Sequence, residues 1–354
     1  MSELLVFFGA GASKALANIP TMKDMVPLFE QELKQEPQMV ELYSGIVDAL
    51  REPYADRLDL EAVFSVLNGI ASGRTFEDIG FHATYEAKRL GVPASKPPSS
   101  DIQAVAGKLM MKFENFVARK CEMAPEAKTG LIKLYSQFTD ILPASDKAKG
   151  QVIPFHEEDP IWYSRSHWAF YTTNYDLCIE NVCSDARIEI ERGSDYDRGL
   201  DRRIVRPERL GLDTFKIVKL HGSLSWYRRK DGMQLEYPEG VPTRESIEGR
   251  VMLYPIEEKA MYEEPYIILI NHFRQDLKKA RRWLFIGYRF NDPFLLRIIQ
   301  YCSHKEKRVG LVHPRAADLI ETRLKQVDAA KTAFVRTFGD DILLGELQNW
   351  LTSS

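Results

Sequence analysis

The chain has 354 residues, enough to bury a large core in one or two domains. Hydrophobic residues make up 44% and charged residues 28%, the proportions of a soluble globular protein. A formal net charge of −3 gives no general attraction for nucleic acid or an anionic membrane, so neither is expected as a direct partner.

Leu4 to Phe8 is a continuous apolar run stopped by glycine, the pattern of a strand buried on both faces. The run is far too short to span a bilayer, no other stretch is long enough, and no basic segment precedes it as in a secretory signal. A cytoplasmic chain is therefore expected. Gly9-Ala10-Gly11-Ala12-Ser13 reads as a loop after the strand, followed by a short helix from Lys14 to Asn18 that Ile19-Pro20 breaks.

Beyond it the periodicity becomes helical. Met39, Tyr43, Ile46, Val47 and Leu50 share one helix face, as do Leu60, Val63, Phe64, Leu67 and Ile70, with Asp59 placed to cap. Ile102, Val105, Leu109, Phe113, Phe116 and Val117 predict a longer amphipathic helix, and Leu131, Leu134, Tyr135, Phe138 and Leu142 another. The proline- and serine-rich run from Gly91 to Ser100 reads as a loop. This module, residues 24–166, is expected to be a helical insertion.

From Trp168 the pattern alternates. Strands are predicted at Trp168–Thr172, Phe215–Leu220, Val251–Tyr254, Trp283–Ile286, Val309–Val312 and Ala333–Phe338. Helices are predicted at Leu177–Val182, Tyr266–Arg281, Pro293–Ser303, Ala316–Lys331 and Ile342–Leu351. Alternating strand and helix implies an α/β fold with a Rossmann-like, doubly wound, mostly parallel sheet, built from residues 1–23 and 167–354.

Four segments at predicted strand ends could carry chemistry. The small residues of Gly9 to Ser13 would let backbone N–H groups approach a pyrophosphate, or would simply make a tight turn. In Thr172-Thr173-Asn174-Tyr175-Asp176 an amide and a carboxylate could read a carboxamide, or Asn174 or Asp176 could cap the next helix. In Lys219-Leu220-His221-Gly222-Ser223 the histidine suits proton transfer near neutrality, although lone histidines are more often structural. In Gly287-Tyr288-Arg289-Phe290-Asn291-Asp292-Pro293 the glycine ends a strand and Asp292-Pro293 starts a helix, an arrangement that is also an ordinary junction.

In this order the four segments resemble the sirtuin family, with its GAG(x)S loop, (T)xNxD segment, catalytic HG pair and later glycine loop. Ile19-Pro20 resembles the family's GIP, with Asn18 in place of glycine. The resemblance covers roughly residues 4–23 and 167–338. It implies that NAD is bound as a substrate, that Asn174 holds the attacking water and the ribose hydroxyls, and that His221 is the general base. It further implies that Asp176 reads the nicotinamide carboxamide, that Gly9, Ala10, Gly11 and Ser13 cradle the pyrophosphate, and that Gly287 and Tyr288 lie near the adenosine half. Pro20, Thr21, Thr173, Asp292 and His313 complete the implied nucleotide contacts.

Two departures narrow the activity. Deacylating sirtuins usually carry two CxxC pairs after the HGS segment, whereas Ser223 to Tyr266 here contains no cysteine. The four cysteines, Cys121, Cys178, Cys183 and Cys302, form no such pair anywhere, so no zinc is expected. The family's Pro-x-Phe-Arg is replaced by Pro20-Thr21-Met22-Lys23. The segment Gly287 to Asp292 looks instead like the GYSFND-type loop of prokaryotic sirtuin-like antiphage-defence proteins, with Arg289 for serine. The helix start Asp59-Leu60-Glu61 also looks like that group, whose members hydrolyse NAD. A regulatory partner such as a HerA-like ATPase would fit the same group, and the apolar surface of the helical insertion, about Asp24 to Ser166, predicts a homo-oligomer with contacts through it. An NAD-dependent protein deacylase and an NAD- or ADP-ribose-binding sensor without turnover remain the alternatives.

Overall fold

The computed structural model describes residues 4–55, 58–122, 151–154, 160–163, 169–185, 190–198, 202–211, 216–237, 247–252 and 264–352. The chain divides into two compact units: Met1–Ile19, Glu122–Met252 and Ala260–Ser354 in one, Pro20–Cys121 with Leu253–Lys259 in the other.

The strands in chain order are β1 (Leu4–Phe8), β2 (Gln151–Pro154), β3 (Pro160–Tyr163), β4 (Ala169–Thr172), β5 (Ser194–Asp197) and β6 (Arg202–Val205). Then follow β7 (Lys216–Lys219), β8 (Gly222–Arg229), β9 (Gln234–Glu236), β10 (Ile247–Met252), β11 (Arg282–Ile286), β12 (Arg308–Val312) and β13 (Ala330–Phe334). Six of them form one sheet in the order β13-β12-β11-β1-β4-β7. Every neighbouring pair in it is parallel. Ranked along the chain, this is the 3-2-1-4-5-6 order of dinucleotide-binding sheets, whose ligand crevice lies where the order reverses. Here the reversal falls between β1 and β11. The expected doubly wound α/β architecture is thus the one observed.

The apolar runs dictate the sheet: all five residues of β1 are buried, as are four of five in β11 and β12. Helices α1 (Ala10–Ala17), α8 (Cys178–Asp185), α9 (Tyr266–Lys279), α10 (Pro293–Cys302), α11 (Ala316–Thr322) and α12 (Asp341–Thr352) belong to the same unit. Two buried lysines on β7 pin helices to its edge. Lys216 pairs with Asp276 of α9 at 2.9 Å, and the same carboxylate oxygen accepts the Tyr171 hydroxyl at 2.7 Å. Lys219 pairs with Glu180 of α8 at 3.0 Å and donates to the Asp176 carbonyl. Such pairs cost desolvation and serve register more than raw stability.

The second unit is helical: α2 (Met22–Glu32), α3 (Pro37–Tyr54), α4 (Leu60–Ala71), α5 (Phe76–Ile79), α6 (Phe81–Arg89) and α7 (Ser100–Lys120). Its core joins Phe29, Tyr43, Phe64, Phe113 and Phe116, each nearly fully buried. Asp59 caps α4, accepting from Ala62 N at 3.0 Å. The predicted helix over Leu131 to Leu142 lies outside the described residues. Among the described residues no helix is long and apolar enough to cross a membrane.

Four sequence expectations are corrected. Gly9 to Ser13 is not a free loop: α1 begins at Ala10 with Gly9 as its N-cap. The helix expected to run to Lys331 ends at Thr322, because Leu319, Leu324 and Val327 turn inward at intervals that no longer follow a helix face. The last strand therefore runs Ala330–Phe334, pairing Arg308 with Ala330, rather than starting at Ala333. Finally, β10-β8-β9-β6-β5 form an antiparallel sheet that the reading missed apart from the end of β10. Its signal was present in Asp231-Gly232, where Gly232 has φ +85 and turns β8 into β9.

Candidate active site

The loops after β1, β4, β7, β11 and β12 all leave the carboxyl edge of the parallel sheet, where doubly wound folds bind ligands. Thr172 ends β4 and ties it to β1, its hydroxyl donating to Phe8 O at 2.9 Å and accepting from Asn174 N at 2.9 Å. The next loop is tied to the end of β7, with Leu220 N donating to Thr172 O and Leu224 N to Tyr175 O at 2.9 and 3.1 Å. Asn174 and His221 are thereby held at neighbouring strand ends.

Asn174 has a fixed orientation. Its Nδ2 donates to Gly9 O at 3.1 Å and to Ser13 Oγ at 3.0 Å. A backbone carbonyl only accepts, so the amide nitrogen must face Gly9 and Oδ1 becomes the site's acceptor. Ser13 passes the chain on, its hydroxyl donating to Asp176 Oδ2 at 2.8 Å, while Asp176 Oδ1 accepts from Cys178 N at 3.0 Å. Both carboxylate oxygens of the buried Asp176 are therefore occupied from within the protein. Asp176 thus braces Asn174 through Ser13 and caps the start of α8, and each of its oxygens keeps a second lone pair.

His221 ends the β7 turn and is 2% exposed. Its Nε2 lies 3.1 Å from Asp292 Oδ2. Asp292 Oδ1 accepts from Phe294 N at 2.8 Å and Leu295 N at 3.0 Å, capping α10, with Pro293 in its first turn. Asp292 is thus a partner of His221. The loop Gly287 to Asp292 carries it from the end of β11 to the end of β7, roughly 14 Å at three interstrand spacings. Phe290 holds φ +57 within that loop and is packed between Phe285 and Tyr288. Gly222 has φ +89, and a Cβ there would strike the Val251 carbonyl. The glycine of the HG pair is therefore required by the turn into β8.

The glycines at the switch point also serve packing. Gly9 N donates to Ile286 O at 2.8 Å and Gly11 N to Gly287 O at 3.0 Å. A Cβ on Gly9 would stand 2.6 Å from Gly287 O, and one on Gly11 2.8 Å from it. These N–H groups face the β11 loop and do not form the expected pyrophosphate cradle. Ala10 opens α1, where its N–H has no intrahelical acceptor, and it remains the donor of this segment. The Tyr288 ring packs on Phe7, with ring centroids 4.5 Å apart. Thr21 is spent on capping α2, its hydroxyl and N–H bonded to Asp24, and it belongs with Pro20 to the helical unit. Thr173 is half-exposed beside Asn174.

His313 follows β12 and is buried. Burial, reinforced by Arg289 and Arg315, pushes its pKa down to about 4, so the ring is neutral. Its Nδ1 accepts from Arg315 N at 2.9 Å, which leaves the proton on Nε2. Burial pushes the Cys178 thiol well up and the Cys183 thiol up to about 12, so neither is a thiolate nucleophile. Among the described residues no three His, Cys, Asp or Glu side chains gather as metal ligands.

Residues 169–331 match the model of the SIR2-like domain. A crystal structure of a SIR2 homologue in complex with NAD aligns at 12% identity and a TM-score of 0.45, covering 99% of this chain and 90% of that one. A mutant Sir2 homologue in complex with 2'-O-acetyl ADP ribose aligns at 13% identity and a TM-score of 0.42, covering 99% and 94%. No curated protein matches the sequence.

Proposed function

We propose that the chain hydrolyses NAD at the nicotinamide–ribose bond, giving nicotinamide, ADP-ribose and a proton. The observation that carries this reading is the placement, on adjoining strand ends of the SIR2-like domain, of an amide of fixed orientation and a histidine backed by a carboxylate.

Nicotinamide leaves as a neutral molecule from a pyridinium cation, so its departure needs little acid. The reaction needs a placed water and stabilisation of an oxocarbenium-like ribose, which positioning and fixed dipoles supply. Asn174 Oδ1 accepts from the water and the ribose hydroxyls, and His221 takes the proton released as water attacks C1 of the ribose. Ala10 N, at the positive end of α1, faces the phosphates. His313, neutral with its proton on Nε2, is a donor for the adenosine half.

The test is an assay with no acylated peptide present. Nicotinamide and ADP-ribose should appear in equal amounts as NAD disappears. NAD loss that requires an acyl-lysine peptide would replace this reading by deacylation, and tight NAD binding without loss would replace it by sensing.

Unchecked hydrolysis would empty a cell of NAD. In this reading the chain is a cytoplasmic effector of antiphage defence, gated by self-assembly and by a second protein such as a HerA-like ATPase. Light scattering at micromolar concentration should return a multiple of the chain mass. A monomeric mass that persists with NAD and the partner added would remove gating by assembly.

A further inference from the structure

We infer that Asp292 is the positioning residue for His221: it fixes the ring proton on Nε2 and makes Nδ1 the nitrogen that accepts the proton. The inference rests on His221 acting as the base, and its spectroscopic test is independent of turnover.

A neutral imidazole carries one N–H, and its location is set by the hydrogen bond the other atoms of the site demand. Asp292 Oδ2 lies 3.1 Å from His221 Nε2, and both side chains are about 95% buried. A carboxylate has no proton to give, so Nε2 must be the donor. The carboxylate itself cannot turn away. Its other oxygen is held by two backbone N–H groups at the start of α10, from Phe294 and Leu295. Oδ1 is thus fixed by the helix and Oδ2 by consequence faces the ring. The arrangement differs from the familiar hydrolase triad, where the aspartate meets Nδ1 and the base is Nε2. It also makes the segment Gly287 to Asp292 part of the base's support, because the capping residue at its end is the one that orients the ring.

Substitutions separate this role from simple capping. Asparagine caps a helix as well as aspartate does. In Asp292→Asn the two backbone donors still require an oxygen, so the amide nitrogen must face His221. Nε2 would then have to accept, and the ring proton would move to Nδ1, blocking the base. In Asp292→Ser the cap survives, but nothing forces a tautomer. A structural role predicts that asparagine, the closer isostere, is the milder change. The tautomer role predicts the reverse order.

The experiment uses the full chain labelled with 15N-histidine. Long-range proton–nitrogen correlations report the tautomer, and the His221 signals among seven histidines are assigned by their loss in His221→Ala. Wild type should show His221 protonated at Nε2, and Asp292→Asn at Nδ1. NAD turnover in Asp292→Asn should fall by on the order of 10^3- to 10^4-fold in kcat, with KM little changed, and by less in Asp292→Ser. A wild-type ring protonated at Nδ1, an unchanged tautomer in Asp292→Asn, or serine more damaging than asparagine each overturns the inference. If the tautomer shifts as expected but His221→Ala still hydrolyses NAD, the positioning stands and the assignment of His221 as base falls.

Discussion

Replacing His221 by alanine should lower NAD turnover by roughly 10^2- to 10^4-fold, the span that a positioned general base contributes. The loss should appear in kcat, because the residues placed nearest the nucleotide, Asn174 and Ala10, are untouched. The fold should survive. Asp292 loses one partner, but its Oδ1 keeps both backbone donors at the start of α10, so the helix retains its cap. The cost is that of one unmet buried acceptor, about 1–3 kcal/mol. A thermal melt followed by circular dichroism should therefore move by several degrees, with unchanged secondary structure at low temperature. Nicotinamide release measured under saturating NAD decides the matter. Turnover equal to wild type would remove His221 from the chemistry, whatever its position.

How far the sequence could be read depended on the range of the interactions involved. The strands β1, β11 and β12 were legible because a fully buried strand is a run of apolar residues, and each run here stands between clear stops. The helices α3, α4 and α7 were legible from their apolar spacing, and Asp59 as a cap from its place before Leu60. β7 was placed within a residue, although the burial of Lys216 and Lys219 could not be read, since their partners Asp276 and Glu180 lie on other elements. The antiparallel sheet was missed because its strands are short and charged, with Arg202, Arg203, Arg228 and Arg229 among them. The four candidate segments stood out by their place at strand ends and by their order, but the hydrogen bonds that hold their side chains were not legible. His221 and Asp292 are 71 residues apart, and only the crossing of the Gly287 to Asp292 loop brings them together. The hydrogen bond from Ser13 to Asp176 was not legible because the two lie 163 residues apart. Gly9 and Gly11 looked like phosphate-binding glycines, a pattern that does not distinguish room for a ligand from room for another backbone.

That last distinction predicts a large effect at Gly287. Its φ is +65, a region that costs an L-residue roughly 1–2 kcal/mol. A Cβ there would land on Ala12 N and stand 2.6 Å from Gly11 C and 2.8 Å from Gly11 Cα, all of them backbone atoms. Neither side can easily withdraw. Gly287 N is bonded to Val312 O at 2.9 Å, Gly11 N to Gly287 O at 3.0 Å and Gly9 N to Ile286 O at 2.8 Å. Overpacking of this kind adds typically about 1–3 kcal/mol, so Gly287→Ala should lose roughly 2–5 kcal/mol in all. Against a total stability of about 5–15 kcal/mol, that is enough to leave a sizeable unfolded fraction on modest warming. Gly345, within α12, is the matched control. A Cβ there meets nothing within 4 Å, so Gly345→Ala should be neutral or stabilising by about 0.4–1 kcal/mol. Urea unfolding of the two variants beside wild type measures both. If Gly287→Ala unfolds at the wild-type midpoint, the loops after β1 and β11 do not pack as closely as this geometry requires. A loss of that size in Gly287→Ala beside an undiminished Gly345→Ala would tie the glycines of the switch point to the joining of two backbones.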